Sequence, residues 1–370
     1  MSQEPSEIFC ATLPGLEPQL AEEARELGFA NVGQQPGGIT MSGGWQDIQR
    51  ANLMLRCASR VLVRIGAFRA LHPAQLDKRA RKFDWAAHLR PDIPVRVEAT
   101  CRRSKIYHTG AAVSRVEGAI RDSIGAPIAR DALIRLMTRI EDDLCTFSID
   151  TTGTPLHQRG HKQAVGKAPL RETMAAAFLR AAGFDGTCPL CDPMCGSGTF
   201  VIEAAEIATG QAPGRTRSFA FEHLPGFRAE AWDRLRSSVT PDSTMARFAG
   251  SDRDAGAIDA ARANALRAGV SVLCSFERQA VSDLTRPDGP PGLVMVNPPY
   301  GARIGNKRAL FALYAALGQV LADRFSGWRV GLVTSEAGLA RATGLPWAAP
   351  GPLVAHGGLK VRLWQTGPLA

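Results

Sequence analysis

Asn297-Pro298-Pro299-Tyr300 closes the apolar run Leu293-Val294-Met295-Val296. The Asn297 side-chain oxygen and the Pro298 carbonyl can together accept both N–H bonds of a planar amine. Proline has no N–H and a fixed φ, so it holds its carbonyl still. Tyr300 can stack on the base that carries the amine. Such a group can grip an exocyclic nitrogen while a methyl group is delivered to it. A plain exit from a strand into a turn uses the same residue types, because Asn-Pro and Pro-Pro commonly open loops.

A second group with chemical potential lies about a hundred residues earlier, in Leu190-Cys191-Asp192-Pro193-Met194-Cys195-Gly196-Ser197-Gly198-Thr199-Phe200. A short apolar run, an acid, a glycine turn and a helix pattern follow one another. The glycines let the backbone pass close to a bound nucleoside where a Cβ would clash. The expected helix Thr199–Ala208 points free N–H groups at that turn. Three ligand classes use loops of this kind. A Walker A loop needs Lys and then Ser or Thr after its last glycine, whereas Gly198 is followed by Thr199 and Phe200. A dinucleotide fingerprint needs a third glycine where Val201 stands, and an acid about twenty residues on, where Glu222 falls in an irregular region. An S-adenosylmethionine loop remains, built from Asp192, Pro193, Cys195, Gly196, Ser197, Gly198 and Thr199. Asp192 would meet the amino acid end and the glycines the sugar. A glycine-rich strand–helix turn without a ligand is the alternative.

Both groups need a sheet to bring them together. Ala249-Gly250-Ser251-Asp252 ends a second expected strand, and Asp254–Ala268 reads as a helix closed by Gly269. An acid at that strand end can bond two ribose hydroxyls, which makes Asp252 the ribose ligand. Asp254 belongs at the helix start, where a carboxylate suits the dipole. Phe276–Val281 reads as a third strand ending in Ser282-Asp283, and Asp283 can accept the adenine amino group or simply cap a turn. Leu293–Val296 is the fourth strand and delivers Asn297. These groups all sit at carboxyl ends of strands, where open α/β sheets bind ligands.

Upstream elements are shorter and mixed. Ile8–Thr12 and Gly38–Met41 read as strands around an acidic helix, Glu17–Leu27. Trp45–Leu53 is a helix, and Arg60–Phe68 alternates as a half-buried strand. Leu76–Trp85 is a basic helix, Val95–Thr100 a strand and Ser114–Gly125 a helix. Ala132–Ile140 and Leu144–Asp150 are strands. Thr151–Lys167 is a glycine-punctuated linker. Pro169–Ala182 is a helix, Gly210–Ala246 an insertion shaping an RNA entrance. Ala309–Phe325 is a helix, and Val330–Thr334, Pro352–Ala355 and Leu359–Gln365 complete the sheet.

Charge separates these regions. The net charge is +9, yet residues 1–49 hold one base and seven acids. Residues 50–140 hold nineteen Lys plus Arg against seven Asp plus Glu, a balance of +12. Such an excess is the expected footprint for phosphate binding. Lys78, Arg79, Arg81 and Lys82, with Arg102, Arg103 and Lys105, are the nucleic-acid ligands it points to, a solvated basic surface being the alternative. In the linker His157, Arg159 and Lys162 can touch nucleic acid where it enters the active site, or belong to a connecting loop made soluble by charge. Eight cysteines fit reduced thiols in a cytoplasm. Cys188, Cys191 and Cys195 have no partner pair elsewhere, so no metal is expected. No apolar run is long enough to span a bilayer, and the first residues lack the pattern of a signal peptide.

The spacing of Asp-Pro-x-Cys-Gly-Ser-Gly-Thr, then Gly-Ser-Asp, then Asn-Pro-Pro-Tyr-Gly resembles the class I amino-group methyltransferases. Thr154-Pro155-Leu156-His157-Gln158-Arg159-Gly160-His161 and Ala168-Pro169-Leu170-Arg171-Glu172-Thr173 narrow the resemblance to THUMP-domain RNA methyltransferases. Within that family the chain is similar to the guanine-N2 methylating half of the bifunctional bacterial 23S rRNA enzyme. The Gly357-Gly358-Leu359-Lys360-Val361 ending fits the family's last strand, and the basic segment Arg303–Arg308 departs from the pattern. The resemblance implies a Rossmann-like α/β methyltransferase sheet preceded by an α+β ferredoxin-like and THUMP RNA-binding region. The corresponding domains are 1–60, 61–153 and 154–370. It also implies that the helix carrying Glu172 lies over the methyl donor. The implied activity is S-adenosylmethionine-dependent methylation of guanine N2 in structured RNA, rRNA ahead of tRNA, in the cytoplasm. Adenine-N6 in RNA or DNA, a tRNA guanine and a protein glutamine amide offer the same planar NH2. An RNA-binding assembly factor with an inactive fold is the rival outside enzymes.

Overall fold

The computed structural model describes residues 6–163, 170–301 and 307–370. These divide into two compact units. One holds the residues up to Thr12, Ala21–Leu156 and Arg217–Ser238; the other holds Leu13–Leu20, His157–Thr216 and Val239–Ala370.

The first unit is built on one seven-stranded sheet. Its opening elements are β1 (Ser6–Ala11), α1 (Glu17–Glu26), β2 (Ala30–Gln35), β3 (Gly38–Gly43), α2 (Trp45–Met54) and β4 (Arg60–Arg69). They follow a β-α-β-β-α-β order and pair as β2-β3-β1-β4, a ferredoxin-like arrangement. Then come α3 (Pro73–Ala80), β5 (Val95–Arg102), α4 (Thr109–Ile124), β6 (Ile134–Glu141) and β7 (Leu144–Asp150). These extend the same sheet as β7-β6-β5 from the free edge of β4. β4 pairs with β1 on one side and β7 on the other. The boundary expected between residues 60 and 61 therefore falls inside a strand that both halves share. Val61 and Val63 are buried while Arg64 is exposed, which is the alternation of a sheet with one open face.

Some local expectations shift. The basic helix expected over Leu76–Trp85 runs Pro73–Ala80. Pro73 suits a first helical turn. The indole of the buried Trp85 donates to the Ala80 carbonyl at 2.7 Å and closes the end. Arg81 and Lys82 thus lie beyond the helix. α4 starts five residues before the expected Ser114, capped by His108 Nδ1 accepting from the Ala111 amide at 3.1 Å.

The second unit carries α5 (Glu172–Ala181), β8 (Leu190–Asp192) and α6 (Thr199–Ala208). The insertion that follows contains α7 (Ala229–Ser237), which falls with the first unit. Next are β9 (Phe248–Asp252), α8 (Ala255–Ala268), β10 (Cys274–Arg278), β11 (Leu293–Val296) and α9 (Lys307–Arg324). β12 (Arg329–Thr334), α10 (Ala337–Ala342), β13 (Val354–His356) and β14 (Leu359–Gln365) complete the chain. The strand order is β10-β9-β8-β11-β12-β14-β13. The first five strands are parallel, and β14 runs antiparallel to both of its neighbours, β12 and β13. Every residue of β8 and β11 is buried, as expected where helices cover both faces. Gly357 and Gly358, at φ 55° and 85°, form the two-residue turn between β13 and β14. The helix expected from Pro169 begins at Glu172. Pro169 itself, and residues 303–306 of the basic segment, lie outside the described residues.

Candidate active site

β8 and β11 are neighbours, with Leu190 opposite Leu293 and Cys191 opposite Val294. The chain runs from β8 outward to β9 on one side and returns to β11 on the other. The loops that leave these two strands therefore flank a topological switch point, where open α/β sheets bind ligands. Neighbouring strands lie about 4.8 Å apart. The glycine turn and Asn-Pro-Pro-Tyr consequently emerge side by side from the same edge.

Asp192, only 3% exposed, is the last residue of β8. One of its carboxylate oxygens accepts from the Met194 amide at 3.1 Å. Burial pushes its pKa up to about 8, and the nearby Asp252 carboxylate adds to the shift. Pro193 is buried beside it. The loop is tied to β9 by the Cys195 amide donating to the Ser251 carbonyl at 2.9 Å. The Gly196 amide donates to Asp252 Oδ2 at 3.0 Å, and the Asp254 amide to Asp252 Oδ1 at 3.0 Å. Both Asp252 oxygens are thereby oriented, and each keeps a lone pair free for a further donor. Asp254 caps α8, accepting from the Gly256 amide at 2.8 Å. Gly198 has φ 83°, and a Cβ there would stand 3.1 Å from both Ala261 Cβ and the Phe276 ring. Ser197 is buried, and its carbonyl accepts from Asn264 Nδ2 at 3.1 Å. Thr199 opens α6.

Across the switch point, Asn297 directly follows β11. Its Oδ1 is buried and has no hydrogen-bond partner among the described residues. Such an atom is costly to leave unpaired, and it fits a site that receives an N–H donor. Pro298 is buried. The Pro299 carbonyl lies 3.3 Å from the Tyr314 hydroxyl, which also lies 3.3 Å from Thr334 Oγ1. A carbonyl only accepts, so the tyrosine proton goes to Pro299 and the threonine proton to the tyrosine. Tyr314, fully buried on α9, thus holds the middle of the tetrapeptide. Sequence patterns do not single it out, because one tyrosine in an apolar helix face looks like core. Tyr300 and Met194, from the two loops, pack against one apolar cluster that includes Val294, Val296 and Tyr314. Burial pushes the Tyr300 phenol up to about 12.

Asp283 sits on a turn instead of closing a strand. β10 stops at Arg278, and its last ladder bond runs from the Gln279 amide to the Asp252 carbonyl at 3.0 Å. Asp283 is exposed and ends a 3-10 turn, Val281–Asp283, five residues past the strand.

Two of the linker cations are not RNA-facing, which corrects the expectation from sequence. Arg159 is 1% exposed and pairs with Glu203 and, at 2.9 Å, with Glu206. Burial works against its charge, but the two carboxylates outweigh that and hold its pKa above the ordinary value. Lys162, 8% exposed at its side chain, donates to the Leu170 carbonyl and lies 3.8 Å from Glu172. Glu172 is itself buried, which raises its pKa despite Lys162. His157 is half-buried. In the first unit Lys78, Arg79, Arg81, Lys82, Arg102, Arg103 and Lys105 are all exposed. Arg81 pairs with Asp77 at 3.0 Å, and Arg103 with Glu141 at 2.8 Å.

This sheet order with these loops is the fold of S-adenosylmethionine-dependent methyltransferases. A family model described as "RMKL-like, methyltransferase domain" matches residues 159–346, and one described as "RlmL ferredoxin-like domain" matches residues 7–62. The chain belongs to the RMKL-like methyltransferase family. It is 39% identical over 358 residues to "Ribosomal RNA large subunit methyltransferase K/L" of Syntrophotalea carbinolica, covering 91% of this chain and 50% of that protein. It is 32% identical to "Putative RNA methyltransferase slr0064" of Synechocystis, covering 96% of this chain and 95% of that protein. The chain thus spans about half the length of the K/L relative. Among solved structures, "a predicted N6-adenine-specific DNA methylase" from Listeria monocytogenes superposes with a TM-score of 0.89 at 30% identity, covering 99% of this chain and 97% of that one. SMU.472, titled "a putative methyltransferase complexed with SAH", also gives 0.89 at 26% identity with full coverage of both chains. No helix among the described residues is long and apolar enough to cross a membrane.

Proposed function

We propose that this chain transfers a methyl group from S-adenosylmethionine to the exocyclic N2 amine of a guanine in ribosomal RNA. The observation that carries the reading is the buried Asn297 Oδ1, unpartnered among the described residues, on the loop beside the glycine turn. Asp192 would receive the ammonium of the donor, Gly196 and Gly198 its sugar, Asp252 the ribose hydroxyls and Asp283 the adenine amine. Glu172, Pro193, Cys195, Ser197 and Thr199 complete the donor pocket. The donor's sulfonium makes its methyl group electrophilic, so the chain's work is alignment of nitrogen, carbon and sulfur. Asn297 and the Pro298 carbonyl accept the two amine protons and favour a more tetrahedral nitrogen. They also stabilise positive charge as it develops there. Pro299 is kept in place by Tyr314, and Tyr300 supplies a face for the base. The base reaches this pocket flipped out of its stack. His157 and the exposed cations Lys78, Arg79, Arg81, Lys82, Arg102, Arg103 and Lys105 are the proposed RNA ligands. A cytoplasmic location goes with such a substrate.

The Syntrophotalea relative, named as a ribosomal RNA methyltransferase, supports rRNA as the target, and the Synechocystis relative, named as an RNA methyltransferase, supports RNA. The Listeria title favours a second reading, methylation of adenine N6, because the same tetrapeptide can grip either amine. Asn297→Ala should lower methyl transfer about a thousandfold, as expected when a transition-state hydrogen bond is removed. Calorimetry should find donor affinity nearly unchanged; loss of donor binding instead contradicts the role given to Asn297. Mapping labelled methyl groups on RNA that lacks the modification then distinguishes guanine N2 from adenine N6.

A further inference from the structure

The segment His157–Gln163 carries more polar ties to the donor pocket than a connecting loop requires. Asn264 on α8 is fully buried, an expensive place for an amide unless its hydrogen bonds are made. Its Nδ2 donates to the Ser197 carbonyl, at the centre of the glycine turn, at 3.1 Å. Its Oδ1 accepts from Arg267 Nη2, one helical turn further on the same face. Arg267 Nε in turn donates to the His161 carbonyl at 2.7 Å, a link across 106 residues of chain. An unbroken hydrogen-bond path therefore runs from His161 through Arg267 and Asn264 to Ser197. The guanidinium on the amide oxygen polarises the amide and strengthens its N–H bond to the turn. A parallel tie reaches the other end of the same loop. Arg159 pairs with Glu203 and Glu206 on α6, the helix that begins at Thr199. The Arg159 carbonyl accepts from Thr216 Oγ1 at 2.8 Å, which fixes the segment from its far side.

We propose that Asn264 and Arg267 are positioning residues that couple the order of the segment His157–Gln163 to occupancy of the donor loop. The inference rests on the donor reading given above. Asn264 fixes the glycine turn directly, and Arg267 makes that turn answer to the segment. Coupling of this kind is reciprocal: what orders the segment favours the donor, and the donor orders the segment.

The test is hydrogen exchange on the full chain, with and without S-adenosylhomocysteine, read on peptides that cover residues 157–163 and 192–200. In the unaltered chain the nucleoside should slow exchange in both regions. In Arg267→Met the donor loop should still be protected while residues 157–163 lose their protection, and affinity should fall several-fold. Arg267→Lys keeps a donor for the His161 carbonyl and should restore part of the protection. Asn264→Asp lacks the N–H bond to Ser197 and should lower affinity about tenfold. The proposal is overturned if the nucleoside binds the unaltered chain and leaves 157–163 unprotected. It is equally overturned if Arg267→Met protects that segment as well as the unaltered chain does. Failure of the unaltered chain to bind the nucleoside at all overturns the donor reading, and this inference with it.

Discussion

The cations of residues 78–105 and those of residues 159–162 are the same residue types in opposite environments. Lys78, Lys82, Arg102 and Lys105 are exposed, and each can neutralise a phosphate and release counterions. Arg159 is 1% exposed, and Lys162 is 8% exposed at its side chain. Carboxylates are present in both regions, and the deciding difference is that those beside Arg159 are buried. Glu203 and Glu206 stand three residues apart on one face of α6 and are themselves 2% and 0% exposed. The Arg159 guanidinium pairs with both, and Arg215 also reaches Glu206 at 2.5 Å. A basic residue beside a predicted active site is therefore not a sign of nucleic acid binding until its partners are known.

The largest effect that can break this comparison is on stability. Arg159→Met takes the guanidinium from buried Glu203 and leaves buried Glu206 with Arg215, which should destabilise the chain by about 3–5 kcal/mol. Urea unfolding should show a loss that barely changes with salt, since buried pairs are weakly screened. A variant that folds normally but loses RNA affinity in a salt-dependent way would return Arg159 to the RNA surface.

A buried acid with no ion-pair partner among the described residues extends the contrast. Asp192 has its pKa raised to about 8 by burial, then by Asp252. The sign follows directly: a folded-state pKa above the ordinary carboxylate value means that stability conferred by the protonated form is lost as pH rises toward 8. A cationic donor needs the ionised form. Donor binding should therefore release a proton below pH 8, and affinity should rise by up to about tenfold per pH unit toward that value. Asp192→Asn should flatten the profile, as calorimetry in buffers of different ionisation enthalpy can measure. A profile unchanged by that substitution removes Asp192 from the donor site.

The smallest effect concerns the exposed set. Replacing Lys78, Arg79, Lys82 and Arg102 together with Ala should change folding stability only by about 0.5 kcal/mol per site or less. RNA affinity should fall, and its logarithmic salt dependence should flatten by about 0.7–0.9 for each phosphate that is no longer neutralised. An unchanged salt slope places the RNA footprint elsewhere.

Legibility in the sequence follows a physical pattern. Leu293–Val296 and Leu190–Asp192 are readable because strands covered on both faces are short continuous apolar runs bounded by turn residues. Leu144–Asp150 and Leu359–Gln365 match their expected limits to the residue. β2, Ala30–Gln35, leaves no signal: it is an edge strand whose side chains are mostly exposed, and its reason to exist is the free edge of β3. The third sheet strand is expected to reach Val281, and it ends three residues earlier, at Arg278, opposite the last residue of its partner strand, Asp252. The shortened strand is why Asp283 lies on a turn rather than at a strand end.

The sequence by itself determined the inventory of the site and its order along the chain. An acid, a glycine turn, a second acid and an amide–proline group each follow an apolar run, and these are local patterns of side-chain period and backbone freedom. Only the tertiary structure decided which charges would be buried and which loops would be held from a distance. Arg159 on Glu203, Tyr314 on Pro299 and Asn264 on Ser197 join residues 44, 15 and 67 positions apart. Such pairings depend on which helix faces pack together, and packing is a property of the whole fold rather than of any stretch of it.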